Sequence, residues 1–411
     1  MAALERKRNG SFSKGAVLTG KCREGSTADG TLICSSSGAV RNIFSSHPFF
    51  LSAPEDVYEE IDTTTRWLQM GFFLCQHQEL RMLAALNPST ILTFLKILHD
   101  HREELAQSIK IGIAPRSQMK ANSSEEVSER ILAAQKIAGR LAPSSIWPHL
   151  DTICIWRSAG AQHYLPTFEK LSPTSTLWPM HSASTEAALL VPLAESHSGG
   201  YPSLRATYFE WFEAGGSHKD CVPIEELDID KSYRVAVTNF RGLFRYLLED
   251  EFRVVEKPSK TPILELVGRI GMTSSLTGEK LTSTQIMSAV ASIEKNTIDE
   301  FQVCPVWGDP PAYVLIVSLS EMVNSNQLES WLRIFEDTLC DLNNEYRSKR
   351  KSHRLGVPRM WITDDGFLNL RRALTEDQNR SDAQYKHVHL QKNFVDEKNY
   401  NIVQKVILNQ Y

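Results

Sequence analysis

One stretch organises this chain: residues 233–256 read YRVAVTNFRGLFRYLLEDEFRVVE. Residues 233–238 are rich in β-branched and aromatic side chains, which favours a strand. Arg241-Gly242 can turn the chain, and residues 243–246 then return as a second strand. The sequence therefore predicts a β-hairpin, with the acid Asp250 just past its second strand.

A second stretch follows after a short gap and reads ELVGRIGMTSSLTGEKL over residues 265–281. Its apolar start is interrupted by three glycines, with charged residues among them: Gly268, Gly271, Gly278, Arg269, Glu279 and Lys280. Glycine frees the backbone, so this stretch suits a hinge with charged groups beside it. We expect a joint between two domains here.

After this joint the pattern becomes helix, strand, strand and helix. Residues 282–285 form a capping-box pattern that begins a helix. Two strands over 301–307 and 312–319 are separated by the turn-forming residues 308–311. A long amphipathic helix is predicted over 328–346, and the whole predicts a small α+β domain.

The chain before the hairpin reads as a larger unit. Residues 1–30 are rich in Ser, Gly, Lys and Arg without periodicity, so we expect a disordered basic segment. Helices are predicted after Pro54, with Ile61 on the core face, and after Asn87-Pro88. Several short strand candidates between residues 176 and 255 predict sheet.

Composition limits the class of protein. The 411 residues carry a net charge of −4 and are 42% hydrophobic, without a long apolar span. These values argue against a general membrane or nucleic-acid binder. A basic run at 347–354 leaves nucleic acid as a weaker alternative. Seven scattered cysteines without a Cys-x-x-Cys pair predict reduced thiols, and we expect a cytoplasmic monomer.

The order of these motifs resembles the auxin-responsive Gretchen Hagen family of acyl acid amido synthetases, which are adenylate-forming enzymes. The residues that carry the resemblance are Thr238, Gly242-Leu243-Phe244-Arg245-Tyr246, Asp250, Arg269 and Gly278-Glu279-Lys280. The chain departs from the family pattern at Phe244, Leu247 and Glu249. The resemblance implies an α/β fold: a large mixed-sheet adenylate-forming domain over 31–268 and a smaller α+β C-terminal domain over 269–411.

The phosphate loop of this family has no convincing match. Ser35-Ser36-Ser37-Gly38 has a suitable composition, because amides and hydroxyls can cradle a polyphosphate. Val40-Arg41-Asn42 stands where the family continues with Thr-Gly-Lys, and the spacing to the following helices is wrong. We therefore expect the large domain to be incomplete and the family pattern to be shortened at the N-terminus.

The resemblance also implies a site for ATP and Mg²⁺. The string Ser182-Ala183-Ser184-Thr185-Glu186 matches a second family motif, with Ser182 in place of an aromatic residue. Glu186 would hold Mg²⁺, since a carboxylate suits this hard ion, and Ser184 and Thr185 would bind phosphate. A helix cap before residues 187–190 is the simpler alternative.

Three further residues are assigned to the nucleotide by the resemblance. Asp250 would accept hydrogen bonds from the ribose hydroxyls, although a solvent-facing turn acid is the alternative. Tyr208 lies in the strand before the hairpin and would border the nucleotide, unless it serves plain sheet packing. Arg245 would brace the site, unless it forms an ordinary salt bridge at a strand edge.

Cations near the joint and the C-terminus complete the expected site. Arg269 and Lys280 could reach phosphate in one domain orientation and release it in another. Lys386 matches a lysine of the family's small domain and would neutralise charge during adenylation, with a surface lysine as the alternative. Arg269 and Lys386 are the expected catalytic residues.

The resemblance implies a two-step ligase. A carboxylic acid would be activated by ATP as acyl-AMP, and the acyl group would pass to an amine, expected to be an amino acid. The alternative is a catalytically degenerate or truncated member that acts as a binding or interaction protein. The missing phosphate loop, Ser182 and Glu249 favour this alternative.

Overall fold

The computed structural model describes residues 14–19, 25–33, 41, 49–217, 219–269, 273–277, 279–293, 297–364, 367 and 387–408. The α-helices are α1 Glu55–Glu59, α2 Thr63–Cys75, α3 Pro88–Asp100, α4 Arg102–Ile111, α5 Glu125–Ala133, α6 Pro143–Ile146, α7 Leu165–Leu171, α8 Ser283–Ala291, α9 Ser325–Leu342 and α10 Asn344–Lys351. Short 3₁₀ helices span Ala159–Tyr164, Ile224–Glu226 and Glu397–Asn399.

The longest β-strands of the described residues lie in the second half of the chain. In chain order the strands are β1 Gly15–Val17, β2 Gly25–Ser26, β3 Leu32–Ile33, β4 Phe50–Leu51, β5 Met82–Ala85, β6 Lys136–Ile137, β7 Arg140–Leu141, β8 Thr152–Ile155, β9 Thr176–Pro179, β10 Ser182–Ala183, β11 Ala188–Val191, β12 Tyr201–Pro202, β13 Tyr208–Glu213, β14 Ser232–Thr238, β15 Tyr246–Glu256, β16 Ile263–Arg269, β17 Thr273–Ser274, β18 Leu281–Thr282, β19 Ile298–Val306, β20 Ala312–Leu319, β21 Arg359–Thr363 and β22 Ile402–Ile407.

A parallel sheet forms the first layer, in the order β4-β1-β5-β8-β9. All four residues of β5 are buried. This is the pattern of a parallel strand that is covered on both faces, which reads as a continuous apolar run. Trp147 and Phe94 stack in the core that the helices build on this sheet.

The expectation that residues 1–30 are disordered is wrong for β1. Gly15–Val17 lies in the sheet between β4 and β5, and Ala16 and Leu18 are buried. Phe49 packs so close to Gly15 that a side chain there would meet its ring. A three-residue strand buried on both faces has no alternation to reveal it, so its neighbours in space, not its own sequence, define it.

The helix predicted after Pro54 forms as two helices. α1 ends at Glu59, and Asp62 caps α2 by accepting a hydrogen bond from the Thr65 amide at 2.7 Å. Ile61 lies between them with 84% of its surface exposed, so its expected place on the core face is wrong. The helix predicted at Asn87-Pro88 is confirmed: Asn87 caps α3, and Pro88 occupies its first turn.

Antiparallel sheets follow in the middle of the chain. β10-β11-β12 form a small sheet, and β13-β14-β15-β16 form a larger one. Gly200 forms a bridge to Leu264, and a side chain on Gly199 would clash with the Leu264 carbonyl. The close approach of the two backbones therefore requires glycine at residue 199.

The predicted hairpin exists, with a longer second strand than expected. Gly242 takes a positive φ of 95° in the turn, which glycine tolerates. The second strand begins at Tyr246, not at Leu243, and continues to Glu256. Asp250 consequently lies inside β15, and its expected position beyond the strand is wrong.

The last part of the chain is a mixed sheet, β19-β20-β21-β22, covered by helices. The capping box is confirmed, since Thr282 and Gln285 exchange hydrogen bonds at the start of α8. The strands predicted over 301–307 and 312–319 are β19 and β20. The helix predicted over 328–346 breaks at Asn343, whose side chain caps α10. Among the described residues, no helix combines the length and apolarity needed to cross a membrane.

Candidate functional site

The Ser-Thr-Glu string forms a tight turn between β10 and β11. The Ser184 amide donates to the Ala187 carbonyl at 2.9 Å, and the Ala187 amide donates to Ser184 Oγ at 3.2 Å. Thr185 is exposed, and Glu186 is half-buried. Residues 188–191 form β11, so the alternative of a helix cap is wrong. The turn leaves the Ser184 hydroxyl hydrogen able to donate to a ligand.

Asn239 connects this turn to the organising hairpin. Its side-chain amide donates to the Glu186 carbonyl at 2.6 Å. Its side-chain oxygen accepts from the Arg241 amide at 2.9 Å, which shapes the loop at the end of β14. The structure therefore brings together two motifs that lie more than fifty residues apart in sequence. Sequence analysis missed Asn239, although its place before Arg241-Gly242 is typical of a turn residue.

Tyr208 and Arg245 lie at the same end of this sheet. Tyr208 stands opposite Thr238 in the β13–β14 register and is 68% exposed. The Arg245 amide donates to Thr238 Oγ1 at 2.9 Å, and its Nε lies 3.1 Å from the Glu210 carboxylate. Arg245 thus makes the salt bridge that was considered for it. That contact also fixes the loop beside Tyr208.

Asp250 is buried in the middle of β15, with 7% of its surface exposed. The alternative of a solvent-facing turn acid is therefore wrong. Its register partner across the sheet is Arg269, the last residue of β16. The pairing places the expected ribose ligand and an expected catalytic cation on adjacent strands.

Lys280 lies on a separate loop between β17 and β18. It is exposed and has a φ of 49°, which is uncommon for a residue other than glycine. Lys386 and Ser35-Ser36-Ser37-Gly38 fall outside the described residues. The role expected of Lys386 therefore remains a prediction, and so does the absence of a family-type phosphate loop at residues 35–38.

The neighbour of Lys280, Glu279, is fully buried and was not singled out for a role. Its carboxylate accepts from the amides of Leu276 at 2.7 Å and Thr277 at 2.9 Å, and from Tyr313 Oη at 2.5 Å. Burial opposes ionisation, but the bonds from Tyr313 and these amides outweigh it and hold the pKa of Glu279 below its usual value. Glu279 thereby joins the loop firmly to the C-terminal sheet.

The described residues include no group of three or more His, Cys, Asp or Glu that could enclose a metal ion. Glu186, on its fixed turn, therefore belongs to no such group. Mg²⁺ is commonly bound by one or two carboxylates together with substrate phosphates and water. The donor set at Glu186 fits this mode and does not fit an all-protein cage.

Three family models match the chain in succession. They are the GH3 family N-terminal domain over residues 1–177, the GH3 family central domain over 201–269 and the GH3 family C-terminal domain over 284–394. The chain belongs to the GH3 family. The turn at Glu186 falls between the first two matches, and the hairpin with Asp250 lies in the second.

Two named relatives illustrate the range of similarity to this GH3 chain. A jasmonoyl–L-amino acid synthetase of Nicotiana attenuata is 28% identical over 175 residues, which cover 39% of this chain and 30% of the relative. The indole-3-acetic acid-amido synthetase GH3.4 of Arabidopsis thaliana is 22% identical over 355 residues, covering 78% of this chain and 59% of the relative. The matched part of the chain thus spans less than two thirds of the length of each of these two relatives.

Solved structures share the fold. The GH3.15 acyl acid amido synthetase superposes with a TM-score of 0.83 at 20% identity, over 97% of this chain and 77% of that protein. A 2-hydroxyisobutyryl-CoA ligase in the postadenylation state gives 0.52 at 14% identity, over 95% of this chain and 68% of that one. The expected fold is confirmed: a large mixed-sheet adenylate-forming part followed by a smaller α+β part.

Proposed function

We propose that this GH3 protein is an acyl acid amido synthetase. It activates a carboxylic acid with ATP and transfers the acyl group to an amine, in particular that of an amino acid. The observation that carries the proposal is the bond from Asn239 to the Glu186 carbonyl, which joins the two nucleotide motifs of the family in space. The named relatives are synthetases, which supports an enzyme over the interaction protein considered as the alternative.

The proposed reaction has two steps. A carboxylate oxygen of the acid attacks the α-phosphorus of ATP, and the bond to pyrophosphate breaks, giving acyl-AMP. The nitrogen of the amine then attacks the acyl carbon, loses a proton, and displaces AMP. Both steps depend mainly on positioning and on stabilising charge on phosphate oxygens.

We assign the nucleotide contacts as follows. Asp250 accepts hydrogen bonds from the ribose, and the hydroxyls of Ser184 and Thr185 donate to phosphate oxygens. Tyr208 borders the nucleotide, beside the loop that Arg245 fixes. Three cations neutralise the negative charge of the phosphates. They come from the joint and the C-terminal part: Arg269, Lys280 and Lys386. The burial of Asp250 and its register with Arg269 support this assignment.

Pyrophosphate exchange into ATP tests the proposal directly. The assay contains Mg²⁺ and a panel of acids that includes indole-3-acetic acid, jasmonic acid, fatty acids and keto acids. We expect exchange that depends on one class of acid and is absent without acid. Measurable ATP binding without exchange for any acid would contradict the synthetase and support a binding protein. Loss of both would contradict the nucleotide site itself.

Glu186→Gln is expected to raise the Mg²⁺ concentration needed for half-maximal exchange by roughly tenfold, because a neutral amide is a weaker ligand for a hard cation. A titration of exchange rate against Mg²⁺ measures the effect. Glu226→Gln, at an exposed acid in the 3₁₀ helix before β14, is the control. Identical Mg²⁺ dependence in both variants would remove Glu186 as the metal ligand.

We further propose a monomer that works in the cytoplasm. The described cysteines, Cys75, Cys154, Cys221, Cys304 and Cys340, form no disulfide among themselves, which supports a reducing compartment. Light scattering on the purified protein and cell fractionation test the two statements. A dimer, or recovery in a secreted fraction, would contradict them.

A further inference from the structure

An ion pair links the N-terminal family domain to the C-terminal family domain. Arg140 Nη1 lies 3.2 Å from Asp299 Oδ1, and the two side chains are 7% and 15% exposed. Exposed ion pairs contribute little, but a pair shielded from water interacts strongly. The partners are 159 residues apart in the chain, so their contact depends on how the two domains sit against each other.

The arginine is presented by a tight hairpin. β6 and β7 pair through Ile137 and Arg140, and Ala138-Gly139 between them have φ values of 48° and 71°. Two successive positive φ values are the geometry of a type I′ turn. Arg140 Nη1 also donates to the Ala138 carbonyl at 2.8 Å, which holds the side chain beside its own turn.

The aspartate is presented by a β-bulge. In the β19–β20 ladder Ile298 pairs with Leu319 and Glu300 pairs with Ser318, so Asp299 is the extra residue without a register partner. A bulge of this kind turns a side chain out of the regular alternation of a strand. The bulge and the hairpin turn are irregular backbone features of different domains. Each of them positions one residue of the ion pair.

We propose that Arg140 and Asp299 form a clasp that holds the C-terminal domain in the orientation of this structure. Removing one partner leaves the other charge largely buried and unpaired, which destabilises the orientation in which the two residues meet. Because the pair can form only when the two domains are in this relative orientation, it favours that orientation over others. Domain orientation can be measured without any catalytic activity.

Distance measurement by electron spin resonance tests the clasp. Spin labels are attached to a ketone-bearing non-canonical amino acid at Lys170 in the N-terminal part and at Ser330 in the C-terminal part, which leaves the native cysteines unlabelled. We expect one narrow distance distribution in the wild-type protein. Asp299→Asn and Arg140→Gln should each give a broader distribution with a second maximum.

Two comparisons make the result decisive. Arg81→Gln, which removes a 3.2 Å ion pair with Asp151 inside the N-terminal domain, should leave the distribution narrow. The double variant should be no broader than either single variant, because the two side chains act as one unit. A wild-type distribution in Asp299→Asn, which preserves the side-chain shape and the Arg140 bond to Ala138, overturns the clasp. So does a double variant broader than both single variants.

Discussion

Substitution of Asp250 by alanine is expected to weaken ATP binding by about 30- to 150-fold, a loss of roughly 2–3 kcal/mol. The carboxylate is buried in β15, where low exposure would strengthen the hydrogen bonds that we propose it accepts from the ribose hydroxyls. Removing it leaves those hydroxyls without their acceptor inside the site. Isothermal titration calorimetry with ATP and Mg²⁺ measures the change.

Two controls separate ligand binding from folding. Glu249→Ala removes the exposed acid next in the chain and should leave the affinity for ATP unchanged. Asp250→Asn preserves volume while removing the charge, which matters because Asp250 also interacts within the fold. Wild-type affinity in folded Asp250→Ala protein would exclude this residue from the nucleotide site.

The local parts of the fold could be predicted from the sequence. The turn at Gly242, the capping box at Thr282 and the cap at Asn87 each depend on residues close together in the chain. Short-range hydrogen bonds and backbone preferences determine such features. The strand β20 was equally predictable, because residues 312–317 are a continuous apolar run that follows the turn residues 308–311.

Features that depend on distant partners could not be predicted. β1 is a strand because β4 and β5 flank it, and nothing in three residues reveals that pairing. β15 continues through Asp250 because Arg269 of β16 pairs with it, and because β14 pairs with Leu247 and Glu251 on either side of a register shift. This pairing overrides the polar character of residues 249–251. The helix over 328–346 breaks at Asn343 because that side chain caps α10 and also donates to the Glu279 carbonyl at 2.9 Å.

The residues of the candidate site show the same difference between features set by local sequence and features set by distant contacts. The family resemblance singled out Glu186 and Asp250 as expected site residues, because their motifs are contiguous strings. It did not identify Asn239, which matters through a contact across the sheet with the turn at Glu186. The burial of Glu279 was also hidden, because a Gly-Glu-Lys string reads as an exposed turn. Its four hydrogen bonds come from Leu276 and Thr277, which precede it in the same loop, and from Tyr313 on β20.

A second large effect is expected on the stability of the fold, at Glu279. Glu279→Gln is expected to lower the free energy of unfolding by roughly 2–4 kcal/mol, because the amide replaces one accepting oxygen with a donor that faces buried donors. Urea denaturation of the folded variant and the wild-type protein measures the difference. Asp337→Asn, at an exposed acid on α9, should change stability far less. Equal stability of Glu279→Gln and the wild type would show that the buried network does not support the fold.

The pH dependence of stability tests whether the ionised carboxylate of Glu279 is the stabilising species. Hydrogen bonds in the folded protein hold the pKa of Glu279 below its unfolded value. Its contribution is therefore fully present above the ordinary carboxyl pKa of about 4.3 and is lost as the pH falls through the lower, folded pKa. The stability difference between wild type and Glu279→Gln should be constant near neutral pH and shrink under acid. Tyr313→Phe removes one of the donors, so it should raise the folded pKa of Glu279 and move this loss to higher pH. A difference that stays constant in acid would mean that packing, and not the charge on Glu279, holds the loop.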